Sequence, residues 1–164
     1  MKRIVIHWTA GGYKPNRIDL KHYHFLIDNE GYIHNGNYNP EDNENCYDNR
    51  YAEHTGGGNT GSIGVAFCGM LDYSIGNLGH YPLNKKQMEA GFKLIAELCK
   101  KYDILIMPDT VLTHYEFGKS HPKSSSAGKI DINFIPYLPD LKPNEVGAYI
   151  RNKVKWYYGN MNIC

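Results

Sequence analysis

The chain has 164 residues, 41% of them apolar and 21% charged, and a formal net charge of +1. That length suits one domain with a sizeable core of its own. The even charge balance argues against duplex nucleic acid as a partner, because its readers carry a clear basic excess. No stretch approaches the ~20 apolar residues of a membrane span. The apolar run after Lys2 and Arg3 meets His7 before it reaches the length of a signal-peptide core. Cys46, Cys68, Cys99 and Cys164 form no CxxC pair, and we read them as free thiols of a reducing compartment.

In chain order, residues 3–8 read as a buried strand in which β-branched residues run straight into His7. Residues 10–16, with Gly11, Gly12 and Pro15, read as a loop. A second strand is expected over 23–28. A turn at Asp28-Asn29-Glu30-Gly31 follows, and residues 32–34 return as its hairpin partner. Residues 35–61 are rich in Asn, Gly and Asp, and an irregular stretch of that length points to function. Another buried strand is expected over 62–68. The clearest helix covers 84–101, with Asn84 and Gln87 as a capping box and Met88, Phe92, Ile95 and Cys99 at helical spacing. Residues 110–114 read as a late strand that again ends in a histidine, followed by a loop with Pro122 and Gly128. A closing helix is expected over 143–158. Strands alternating with helices, plus one antiparallel hairpin, imply a single α/β domain over 1–164. Its sheet is central and mixed, with flanking helices.

Two strands deliver a histidine to the rim of this sheet, His7 and His114. Neutral imidazole is the commonest metal ligand, and a catalytic zinc takes three protein ligands and keeps one position open. No HExxH motif is present, so this is not a zinc site of the helix-borne zincin type. A third ligand is expected from the loop after His114, which offers Glu116, His121 and Asp131. Lys129 lies two residues before Asp131, on the same side if that segment is extended. Glu53, Glu116 and Asp28 read as surface or turn residues, and His22, His24, His34 and His80 as structural.

Five stretches, taken in order, resemble one family: Val5-Ile6-His7-Trp8-Thr9; Tyr23-His24-Phe25-Leu26-Ile27 with Asp28-Asn29-Glu30-Gly31; Glu53-His54-Thr55; Ser62-Ile63-Gly64-Val65; and Thr113-His114 with Lys129-Ile130-Asp131. Together they look like the zinc-dependent N-acetylmuramoyl-L-alanine amidases that share a fold with bacteriophage T7 lysozyme and the peptidoglycan recognition proteins. The resemblance spans about residues 3–135. It implies one Zn²⁺ per chain, held by His7, His114 and Asp131, with His121 in reserve as third ligand. It implies catalytic roles for Tyr23 and Lys129 and a substrate-pocket role for His54. The family usually follows its third ligand with Pro-Gly, where this chain has Ile132-Asn133, and a catalytic Glu of some members is replaced by Ala66. The implied reaction is hydrolysis of the amide between N-acetylmuramic acid and L-alanine in peptidoglycan or muropeptides. The expected setting is a monomeric phage or prophage endolysin, made in the cytoplasm without a signal peptide and reaching the cell wall after holin-type release. A muropeptide-recycling amidase and a non-catalytic peptidoglycan-binding module are the alternatives.

Overall fold

In the computed structural model, which describes residues 1–161, the strand β1 (Arg3–Trp8) is an interior strand of a five-stranded sheet. Its neighbours are β4 (Ser62–Phe67) and β5 (Val111–Thr113), both parallel to it. Beyond β4 lies β2 (Phe25–Ile27), also parallel, and β3 (Ile33–Asn35) pairs antiparallel with β2 at the edge. The sheet order is β3-β2-β4-β1-β5. The sheet is thus mixed and flanked by helices, as the sequence implies.

Because side chains alternate across a strand, β1 serves two layers. Ile4, Ile6 and Trp8 point into the main core beneath α2 (Lys85–Tyr102) and α4 (Pro143–Asn160). Val5 packs on the opposite face with Leu112 and Phe117. His7 shares that second face. It is covered there by α1 (Arg17–His22), by α3 (His114–Ser120) and by the irregular stretch before β4. A strand buried on both faces reads as nearly continuous apolar sequence, which is why β1 was legible.

The long helices form where their periodicity places them. The Asn84–Gln87 capping box is present at the start of α2, and Pro143 opens α4. The short helices were not expected. Helix α1 starts where Asn16 and Asp19 cap one another reciprocally, and it ends at Tyr23. Tyr23 and His24 therefore precede β2 instead of belonging to it. Helix α3 occupies the expected loop after β5, nucleated by a reciprocal cap between Thr113 and Glu116. His114 is the first residue of that helix, not the end of the strand. The hairpin partner is shifted by one residue, with Phe25 opposite Asn35 and Ile27 opposite Ile33. The stretch before β4 contains one 3₁₀ turn (Pro40–Glu44).

Two carboxylates read as surface or turn residues are structural anchors. Asp28 is 1% exposed and accepts from the Glu30 and Tyr32 amides, from Lys14 Nζ and from His34 Nε2, which fixes the hairpin turn. Burial alone would raise its pKa, and these donors outweigh burial and hold it at about 2. Glu116 receives a bidentate pair from Arg151 at 2.9 and 3.0 Å, and the same guanidinium donates to the Val111 carbonyl at 3.0 Å. One side chain of α4 thus pins β5 and α3 together. Among the described residues Cys46, Cys68 and Cys99 are free thiols, while Cys164 lies outside them. No described helix is long and apolar enough to cross a membrane.

Removing Arg151 leaves the half-buried Glu116 carboxylate with the Thr113 amide but no cation, and leaves a buried carbonyl without its donor. Arg151→Ala is expected to destabilise the fold by about 3–5 kcal/mol, read as a shift of the urea unfolding midpoint at unchanged slope.

Candidate active site

The register of β1 with β5 pairs Ile6 with Thr113 and brings the next residues, His7 and His114, side by side. Their Nδ1 atoms stand 3.1 Å apart. Asp131 comes to the same point from the loop after α3, its Oδ2 lying 2.9 Å from His7 Nδ1 and 3.1 Å from His114 Nδ1. All three residues are buried. His121, the reserve ligand, is elsewhere. It caps the end of α3 and stacks on Phe117, with ring centroids 4.0 Å apart.

The outer partners of the two imidazoles decide which nitrogen carries the proton. Ser126 Oγ donates its single hydrogen to the Gly56 carbonyl at 2.7 Å, so it can only accept from His114 Nε2 at 2.9 Å. His114 therefore holds its hydrogen on Nε2 and presents a lone pair at Nδ1. On the other side, His54 Nε2 donates to the Ser62 carbonyl at 3.3 Å. Burial and the neighbouring His7 and His24 keep the His54 pKa well below the ordinary value, so this ring is neutral. Its Nδ1 then accepts, from the Thr55 hydroxyl at 2.7 Å and from His7 Nε2 at 3.2 Å. His7, lowered to about 4 by burial against the opposing pull of Asp131, is neutral as well and turns its lone pair inward at Nδ1.

Three acceptor atoms thus face one another with no hydrogen left to place between them. Such a set is suited to a cation. Zinc held tetrahedrally by nitrogen and oxygen at about 2.0–2.1 Å sets its ligand atoms roughly 3.3 Å apart. The separations of 2.9, 3.1 and 3.1 Å come close to that triangle. The residues present fit a zinc ion, and the outer hydrogen bonds are those that orient histidine ligands in such sites.

The triad opens into a pocket of about 750 Å³ whose wall includes Tyr23, His54, Lys129 and Asp131. The Tyr23 ring lies 5.2 Å from that of His7. Burial first, then the Asp131 charge, pushes the Tyr23 phenol far above its ordinary range, so it stays protonated and can only donate to an anion. Lys129 is exposed on the same wall, close enough for its charge to act on His7. His54, expected to face substrate, has both nitrogens engaged inside the protein and acts on His7. A Cβ at Gly64 would fall 2.6 Å from the His54 ring, which explains the glycine in the Ser62-Ile63-Gly64-Val65 strand. His24 is structural, bonded to the Gly64 amide and to Asn43. Ser126 escaped the sequence reading, since an isolated hydroxyl residue in a loop carries no periodic signal.

The sequence matches the profile of the family described as N-acetylmuramoyl-L-alanine amidase over residues 1–129. The chain belongs to that family. It is an amidase in which the matched segment carries both histidines, Tyr23 and Lys129, and stops just short of Asp131. No curated protein matches the amidase. Among solved structures it is similar in fold to the N-acetylmuramoyl-L-alanine amidase LysC from Clostridium intestinale URNW. The two share 18% identity over 94% of this chain and 85% of that one, with a TM-score of 0.55. The endolysin amidase LysCS from the same source is similar at 19% identity, over 94% and 83%, with a TM-score of 0.55. A mutant form of PlyL is similar at 22% identity, over 94% and 84%, with a TM-score of 0.51.

Ser126→Ala removes the acceptor that sets the His114 tautomer and touches no substrate. Zinc affinity, measured by competition with a chromophoric chelator, is expected to fall about 10–100-fold while the folded-state circular dichroism is retained.

Proposed function

We propose that this amidase is a zinc hydrolase that cleaves the bond between N-acetylmuramic acid and L-alanine in peptidoglycan. The observation that carries this reading is the meeting of His7 Nδ1, His114 Nδ1 and Asp131 Oδ2 on the wall of an open pocket, with every available hydrogen directed away from them. An amide resists hydrolysis because its carbonyl is a weak electrophile and its amine a poor leaving group. Zinc bound by these residues supplies Lewis acidity toward the carbonyl and a hydrolytic water with a pKa of about 7.

The protein's own groups do the rest. His7 and His114 each turn a lone pair inward, so the site keeps a net charge of about +1 once Zn²⁺ and one carboxylate are counted. Lys129 and the protonated Tyr23 hydroxyl are the donors placed to stabilise the oxyanion of the tetrahedral intermediate. Loss of one such donor costs about 2.7–4 kcal/mol in barrier. Either group can pass a proton to the departing L-alanine amine. The endolysin description of the similar LysCS supports a lytic role, with the wall reached after holin-type opening of the membrane.

The deciding experiment is digestion of purified peptidoglycan, counting new L-alanine amines and new reducing sugar ends with and without a zinc chelator. Amines that disappear with the chelator and return with added zinc are expected. Reducing ends would make the protein a glycosidase, and sedimentation with the wall without either product would make it a binding module. In the same assay Lys129→Ala is expected to retain stoichiometric zinc and to lose about 10²–10³ in kcat. Unchanged kcat would remove Lys129 from the chemistry.

A further inference from the structure

The two histidines of the triad are not held alike on their outer sides. His114 Nε2 donates to Ser126 Oγ at 2.9 Å, and that hydroxyl directs its own hydrogen to the Gly56 carbonyl. His7 Nε2 has a longer bond, 3.2 Å, to His54 Nδ1. The difference comes from Thr55, whose hydroxyl reaches the same His54 Nδ1 at 2.7 Å. A neutral imidazole with its hydrogen on Nε2 has a single in-plane lone pair at Nδ1, so here two donors share one acceptor. The nearer donor has the larger share, because hydrogen bonds weaken with distance. Thr55 Oγ1 stands 3.4 Å from His7 Nε2, outside the usual range of an N–H···O bond, so it compensates His7 only slightly.

The surroundings aim this hydroxyl. Thr55 is fully buried. Its amide and that of His54 both donate to Asn59 Oδ1, at 2.7 and 3.0 Å, and its carbonyl accepts from the Gly58 amide at 2.9 Å. The Thr55 methyl packs against Gly58, where a Cβ would fall 3.1 Å from it. A β-branched side chain has few choices of χ1, so fixing the methyl also fixes the hydroxyl. The His54 ring is held from its other side, seated on Gly64 and bonded through Nε2 to the Ser62 carbonyl.

An acceptor on the outer nitrogen makes a histidine a more basic metal ligand, because pulling on the outer N–H raises electron density at the inner nitrogen. A more basic His7 binds zinc more tightly and leaves the ion a weaker Lewis acid. Thr55 works against that by occupying the lone pair His7 would otherwise have to itself. We propose that Thr55 is a positioning residue that loosens the His54 bond to His7, lowering zinc affinity and preserving the Lewis acidity that amide hydrolysis needs. This rests on the zinc-hydrolase reading and adds to it a residue that touches neither metal nor substrate. Its signature is one of sign. Removing a supporting acceptor such as Ser126 weakens zinc binding, whereas removing the Thr55 hydroxyl strengthens it.

The test compares Thr55→Ala with Thr55→Ser in the full chain. Both lose the methyl against Gly58, so the difference between them is the hydroxyl. Zinc affinity, measured by competition with a chromophoric chelator, is expected to rise about tenfold in Thr55→Ala and to stay within about twofold of wild type in Thr55→Ser. The visible absorption bands of the Co²⁺-substituted protein report the ligand field without any turnover. They are expected to shift in Thr55→Ala and to coincide with wild type in Thr55→Ser. With zinc saturating, kcat on peptidoglycan is expected to fall about tenfold in Thr55→Ala at unchanged KM. A Thr55→Ala protein that binds zinc no more tightly than Thr55→Ser would overturn the assignment, and so would one that keeps full kcat. A wild-type chain that takes up no zinc would instead overturn the zinc reading itself, a different failure.

Discussion

Two imidazole lone pairs and a carboxylate oxygen brought within about 3 Å of one another repel, and the structure has to hold them there. Much of the architecture around the site serves that constraint. His7 is on the stiffest element available, a strand hydrogen-bonded on both sides, and rigid elements hold metal ligands better than loops do. His114 is held by a strand register on one side and by the first turn of α3 on the other. The Arg151 pair with Glu116 ties that turn to the closing helix, so a contact far from the substrate helps set where a ligand stands.

The outer hydrogen bonds turn this arrangement from repulsive to useful. A histidine beside a carboxylate would ordinarily donate to it and form a closed, inert pair. Here the hydrogens are drawn outward, by the Ser62 carbonyl acting through His54 and by the Gly56 carbonyl acting through Ser126. Both carbonyls belong to the stretch between β3 and β4 or its junction with β4. The irregular, glycine-rich region thus orients the two imidazoles of the pocket. It also packs closely: Gly64 admits the His54 ring where any side chain would displace it.

Electrostatics then separate the roles of the remaining groups. Burial keeps His7 and His54 neutral and keeps Tyr23 protonated, so the deep part of the pocket sets inward-facing acceptors beside a hydroxyl donor. Lys129 alone among the proposed catalytic groups is exposed and free to meet substrate.

Much of this was legible in the sequence. The buried strand into His7, the capped helix at Asn84 and the proline-led closing helix are local signals, set by alternation, by helical spacing and by side chains that bond their own backbone. The ordered motifs named the family and the residues that the structure brings to one pocket. What local pattern could not supply was α1 and α3, six and seven residues long, too short for a hydrophobic period to emerge. The choice of Asp131 over His121 depended on how the chain turns after α3. The inward use of His54 and the part played by Ser126 depended on contacts between residues far apart in the chain. Sequence by itself determined which side chains were available and which elements would deliver them. Only the tertiary structure decided which nitrogen each imidazole presents, because a tautomer is set by the partner across space and not by the neighbour along the chain.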